Sequence, residues 1–283
     1  MRIAFTSDLH TDHHPELTRL ITERVAGQAD VLIVAGDVSP SPVNLAGVLA
    51  RFREVVPIVA FVPGNHDLWS PRGTPDSRAR YLEIFPALCA ELDVRYLPAG
   101  PLALDGVTLV GQTGWYDYSM RDPAHDAAIP LDAYSRGSHG PLSWSDKQLI
   151  VWPGCDDRGL TAFMTERLAA DLAAAPPGVP VWVVTHMVPF VELVARRPLP
   201  WGFVNGFLGA TALGATIVAA AQAGLPIARA VSGHTHFRRT AEILAGGTSF
   251  PAETSPIGYP REIERQAPSL AAHVADRVRI VLG

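Results

Sequence analysis

Asp8-Leu9-His10, Gly36-Asp37, Gly64-Asn65-His66-Asp67, His186 and Gly233-His234-Thr235-His236 are five short polar clusters, and each follows an apolar run. Two aspartates (Asp8, Asp37), one asparagine (Asn65) and four histidines (His10, His186, His234, His236) supply seven nitrogen or oxygen donors, with His66 left over. Seven donors are too many for one tetrahedral ion and suit two metals that share a carboxylate. Asp37 is the natural bridge, because a carboxylate has two oxygens that can face two cations while an imidazole offers one free nitrogen. No cysteine belongs to the set. Imidazole and carboxylate donors therefore point to two divalent transition ions such as manganese, iron or zinc. Taken singly, a strand-end Asp or His is usually a turn former; their joint occurrence is what argues for a site. Gly36, Gly64 and Gly233 read as turn residues that allow close backbone approach.

The elements that must position these groups are legible around them. The preceding runs, Ile3 to Phe5, Val31 to Ala35, Ile58 to Val62, Val181 to Val184 and Ala230 to Val231, are rich in the β-branched residues of strands. Each polar cluster then lies at the carboxyl end of a strand, the edge where open α/β sheets bind ligands. Helices are expected at about 15–27, 43–54, 75–91, 160–174 and 207–223. Short strands at 94–97, 102–104 and 107–110 suggest a second sheet, and late strands are expected at 240–244 and 277–282.

The ordered series D-x-H, GD, GNHD, H and GHTH resembles the calcineurin-like metallophosphoesterase superfamily across residues 8–236. The resemblance implies an α/β fold, a four-layer αββα sandwich of two mixed sheets flanked by helices. It implies a first metal on Asp8, His10, Asp37 and His236, and a second on Asp37, Asn65, His186 and His234. His66 resembles the family's catalytic histidine and Asp67 the carboxylate that orients it. The expected activity is hydrolysis of a small phosphodiester or phosphomonoester by a metal-bridging hydroxide, with His66 meeting the leaving oxygen. Phosphoprotein phosphatases of the superfamily resemble GDxVDRG and RGNHE; GDVSPSP and PGNHDLW here lack those arginines. A non-catalytic scaffold would have lost ligands that this chain keeps. A nuclease would need a basic stripe with interleaved aromatics, which is not seen.

Three stretches exceed what the scaffold needs: 114–159, 187–206 and 246–272. Within the first two, Gly114 to Tyr118 and Met187 to Asn205 are expected to wall the metal centre, with Trp115, Tyr116, Trp201 and Asn205 touching a small, including nucleotide-like, phosphoester. For Trp115 and Tyr116 core packing is an equal alternative. Arg196 and Arg197 read as solvated charges ahead of a phosphate clamp, and His13, His14, His125 and His139 as loop histidines.

At 283 residues and 48% hydrophobic, the chain can bury a large core, and 1–283 is expected to form one domain. No apolar run reaches the ~20 residues of a membrane span, and Met1 leads directly into a strand, so neither a membrane partner nor a secretory leader is expected. The net charge of −5 argues against a surface that tracks nucleic acid. With only Cys89 and Cys155, a reduced, cytoplasmic setting is the simpler reading.

Overall fold

A computed structural model describes residues 1–283. Thirteen strands are present: β1 (Arg2–Thr6), β2 (Val31–Ala35), β3 (Ile58–Val62), β4 (Arg95–Tyr96), β5 (Leu102–Leu104), β6 (Val107–Gln112), β7 (Ser138–His139), β8 (Leu142–Ser143), β9 (Val181–Thr185), β10 (Ile227–Ser232), β11 (Arg239–Ala245), β12 (Thr248–Thr254) and β13 (Arg279–Leu282). One sheet has the order β13-β1-β2-β3-β4 and the other β11-β12-β10-β9-β6-β5. In the first, β1 to β4 run parallel and β13 closes the edge antiparallel to β1. In the second, β6, β9, β10 and β12 are parallel, with β5 and β11 antiparallel at the edges.

Period-two alternation explains why both faces of the central strands are apolar. Ile3, Phe5, Val31, Ile33, Ala60 and Val62 meet Val107, Leu109, Trp182, Val184 and Val231 between the sheets. The intervening Ala4, Leu32, Val34, Val59 and Phe61 face outward and pack in the larger helical core. Phe5 and Trp182 pin the sheets together edge to face, with ring centroids 6.1 Å apart. Such a pair adds about 0.5–1.5 kcal/mol beyond burial. The result is the four-layer αββα sandwich. No helix is long and apolar enough to cross a membrane.

Several boundaries differ from the sequence expectation for identifiable reasons. Arg95–Tyr96 joins the first sheet beside β3, not the second. The helix expected from Pro75 begins at Ser77, where Asp76 caps it by accepting from the Ala79 N–H at 2.7 Å. It contains a π turn at Arg80–Ile84 ahead of Pro86, which has no N–H to give a regular helical ladder. The stretch 246–272 is not irregular. Gly246 and Gly247, both with positive φ, form the two-residue turn of a β11–β12 hairpin, and helices follow at Pro260–Gln266 and Leu270–Arg277. Within 114–159 lie a helix (Leu131–Arg136), the β7–β8 hairpin and a one-turn helix (Asp146–Leu149).

Candidate metal centre

Parallel strands deliver all five polar clusters to one edge of the sandwich. Asp8 and His10 follow β1, Asp37 follows β2, Asn65 and His66 follow β3, His186 follows β9, and His234 and His236 follow β10. The chain turns sharply there. Seven non-glycine residues have positive φ, and five of them are Asp8, His10, Asp37, His234 and His236. That conformation is costly for residues with a Cβ and persists only where surrounding contacts enforce it. The enforcement is visible at two glycines. A Cβ on Gly36 would lie 2.5 Å from His186 Nδ1, and one on Gly64 would lie 2.1 Å from Asp37 Oδ1, so both loops approach as only glycine permits.

Asp8, His10, Asp37 and His236 present donor atoms that all lie within 4.8 Å of one another, and so do Asp37, His186 and His234. Asp37 belongs to both groups. Hydrogen bonds from behind fix which atom of each ring points inward. His186 Nδ1 is 2.9 Å from the Ala35 carbonyl and must donate to it, so in the neutral ring Nε2 is the nitrogen that keeps its lone pair. That nitrogen faces Asn65 Oδ1 at 3.0 Å and Asp37 Oδ2 at 3.4 Å. His236 Nδ1 donates to Glu262 Oε2 at 2.8 Å, leaving Nε2 turned toward His10 Nε2 at 3.1 Å and Asp8 Oδ1 at 3.4 Å. His234 Nε2 donates to the Phe207 carbonyl at 3.1 Å, so its Nδ1 is the free nitrogen. Outer partners of this kind set the tautomer of metal-bound histidines.

Acceptors therefore meet acceptors. Asp37 Oδ2 is buried and has no hydrogen-bond donor, although His186, His10 and His66 nitrogens surround it at 3.4, 3.8 and 3.9 Å. A buried carboxylate oxygen without a donor is strongly unfavourable unless a cation sits beside it. The electrostatics agree. Burial depresses His10 well below its usual value and His234 to about 3, which keeps both neutral as ligands must be. Burial also pushes His186 and His236 down, but carboxylates overcome it: Asp37 raises His186 to about 9, and Asp8 with Glu262 raises His236 to about 10. Without a metal, protons on those two rings supply the positive charge that the carboxylates demand. The donor set fits divalent metal ions.

His66 stands outside the ligand groups and lines a cavity of about 350 Å³ above them. Its ring stacks on Trp69 at 3.6 Å, and its Nε2 lies 3.4 Å from Tyr259 Oη. Burial lowers its pKa, and Asp37 and Asp146 oppose the shift. Trp144, Trp201, Arg197 and Tyr259 also line the cavity. A larger cavity of about 450 Å³, beyond Asp146 and bordered by Tyr118, Lys147 and Asp157, includes none of the metal donors.

Two expectations are corrected. Asp67 does not orient His66. It is fully buried and accepts the backbone N–H groups of Asp37, Val38, Ser39 and Gly64 at 2.8–2.9 Å, so it clamps the two loops by their backbones. Trp115, Tyr116 and Asn205 are each 0% exposed and do not wall the cavity. Trp115 and Tyr116 stack on each other in the core, and Asn205 donates to the Ala195 carbonyl at 3.1 Å. Trp201, 55% exposed, does line it. So does Arg197, whose guanidinium rests on the Phe237 ring at 4.8 Å.

Sequence reasoning missed Trp69, Trp144, Asp146, Tyr259 and Glu262. Trp69 directly follows the GNHD cluster, which is a usable signal. Glu262 holds the Tyr259 N–H at 2.8 Å as well as His236, forming the first turn of a helix. Asp146 is buried among N–H donors; burial raises its carboxyl, and the bonds from Trp69 and Asn65 oppose the rise.

The family profile described as calcineurin-like phosphoesterase matches residues 1–238. The [acyl-carrier-protein] phosphodiesterase PptH of Mycobacterium tuberculosis is 28% identical over 273 residues, covering 93% of this chain and 79% of that protein. The crystal structure of phosphopantetheinyl hydrolase (PptH) from the same organism superposes with a TM-score of 0.71 at 26% identity, covering 99% of this chain and 95% of the other. A dimetal phosphatase from Danio rerio shares the fold at a TM-score of 0.51 and 12% identity, covering 90% of this chain and 86% of that one. With the five motifs gathered at one sheet edge and the profile spanning most of its length, the chain belongs to the calcineurin-like phosphoesterase family and is a metal-dependent hydrolase of phosphoric esters.

Proposed function

We propose that this enzyme is a two-metal phosphodiesterase that cuts the ester between a phosphopantetheinyl group and a carrier protein. The observation that carries the metal reading is the donorless Oδ2 of Asp37, the residue common to both donor groups. One ion, of manganese, iron or zinc, would be held by Asp8, His10, Asp37 and His236, and a second by Asp37, Asn65, His186 and His234. When bound, such ions lower the pKa of water from 15.7 toward ~7 and neutralise phosphoryl oxygens as charge builds.

The remaining work falls to the chain. Glu262 and the Ala35 carbonyl keep His236 and His186 in the tautomers that direct Nε2 inward. His66, next to a ligand but not among the donor groups, is the group placed to meet the departing oxygen. The indoles of Trp69, Trp144 and Trp201 and the Arg197 guanidinium give the cavity flat apolar walls with one positive charge. Those walls suit a flexible arm with planar amides and a phosphate at one end.

The diester substrate rests on the names of the PptH relative and its structure, together with near-complete coverage of both chains. It narrows the expected small phosphoester: the arm enters the cavity, and the protein half stays outside. Cys89 and Cys155 are unpaired, which supports a cytoplasmic setting. Mass spectrometry of a phosphopantetheinylated carrier protein incubated with manganese-loaded enzyme tests the proposal. The expected product is carrier protein lighter by one phosphopantetheinyl group. An unaltered carrier, with turnover only of cyclic nucleotides, a phosphomonoester or single-stranded DNA, contradicts it.

A further inference from the structure

We propose that Asp146 is a positioning residue for the Asn65 side of the metal centre, orienting the Asn65 amide and two cavity-lining tryptophans through one buried carboxylate. The inference rests on the reading of Asn65 as a metal ligand.

Asp146 comes from the one-turn helix in the long stretch after β6, 81 positions from Asn65, and is 1% exposed. Its Oδ1 accepts from Asn65 Nδ2 at 2.9 Å and from Trp69 Nε1 at 2.6 Å. Its Oδ2 accepts from Trp144 Nε1 at 2.9 Å. Three N–H donors therefore occupy both of its oxygens.

The consequence for Asn65 is chemical. An amide has one donor end and one acceptor end, and only the donor end can face a carboxylate. Asp146 therefore forces Asn65 Oδ1 toward His186 Nε2. A flipped amide would present N–H bonds to the metal position and bind nothing there. The tryptophans extend the same control. Trp69 stacks on His66 at 3.6 Å, while Trp144 stacks on Phe207 at 4.9 Å and meets the His234 ring edge-on at 5.9 Å. The next residue, Lys147, ion-pairs with Asp157 and so anchors the one-turn helix from its other side. A stretch absent from the five-motif scaffold thus reaches back to set the geometry of a ligand.

A purely structural Asp146 would stabilise the fold and leave the ions alike. The test is calorimetric titration of metal-free protein with manganese, comparing wild type, N65A, D146A and N65A/D146A. Asp146→Ala is expected to weaken one of two manganese sites by about 10- to 100-fold, the usual effect of losing an outer partner, and to leave the other unchanged. The double variant should bind no more weakly than N65A alone, because the two residues act in series. Removing Asp146 leaves two indole N–H groups without an acceptor and endangers folding. W69F/W144F compared with W69F/W144F/D146A avoids this, since the Asn65 bond is then what differs, and the same selective loss is expected. Equal weakening of both sites, or a lowered Tm with both sites intact, overturns the proposal. If N65A itself leaves both sites unchanged, the failure lies in the ligand assignment instead.

Discussion

Asp67 Oδ2 accepts the backbone N–H of Asp37 at 2.9 Å, and Asp37 Oδ1 in turn accepts the backbone N–H of His66 at 2.8 Å. The loops after β2 and β3 clasp each other through this exchange, with the Asp37 carboxylate at its centre. Asp67→Ala strands four buried N–H groups, each costing about 1–3 kcal/mol. We expect a loss of at least about 3 kcal/mol in urea unfolding and weaker binding of both ions. Full stability with a selective fall in kcat would restore the role first expected for Asp67.

His66→Ala should behave in the opposite way. Metal content and Tm should stay near wild type, because His66 lies outside both donor groups and retains partial exposure. On esters with poor leaving groups kcat should fall by about 10²-fold or more, and on a nitrophenyl ester by much less. Equal losses on both substrates, or loss of metal, would remove His66 from the leaving-group role.

The two tryptophans once grouped together now separate. Trp115→Ala opens a hole in the core and should cost about 3–5 kcal/mol of stability while leaving KM unchanged in the folded fraction. Trp201→Ala sits at the exposed rim of the cavity and should raise KM for the phosphopantetheinyl substrate with little change in Tm. Paired thermal scans and initial rates check both.

The difference between these tryptophans shows what was legible. Donor residues at strand ends announce themselves, because few sequences carry Asp, His and Asn after successive β-branched runs, and the fold follows from the same runs. Trp115 and Trp201 have identical chemistry, and only packing decides that one is core and the other rim. Asp146 carries no motif; its role depends on how a 46-residue stretch, Gly114 to Gly159, folds back onto Asn65. β12 was hidden by Pro251, which lacks a ladder N–H, and by the Gly246–Gly247 pair, which reads as loop until its positive φ angles show a hairpin turn.

Proton and metal should compete. Burial pushes His186 and His236 down from 6.5, yet carboxylates raise them to about 9 and about 10. A raised folded pKa gives stability that is complete below about 6.5 and is lost as pH rises through about 9 to 10. The Tm of metal-free protein should therefore fall across that window, while metal-loaded protein should change less. Metal addition at pH 7 in weak buffer should release protons. Flat metal-free stability over the window, with no acidification on loading, would contradict the charge balance described.

The most direct measurement is elemental analysis of fully active protein, joined to anomalous diffraction from the same preparation. Two transition ions per chain are predicted, both with Asp37 among their ligands, and Asp37→Asn should deplete both. One ion or fewer in a fully active sample, or two ions that do not share Asp37, would contradict the account.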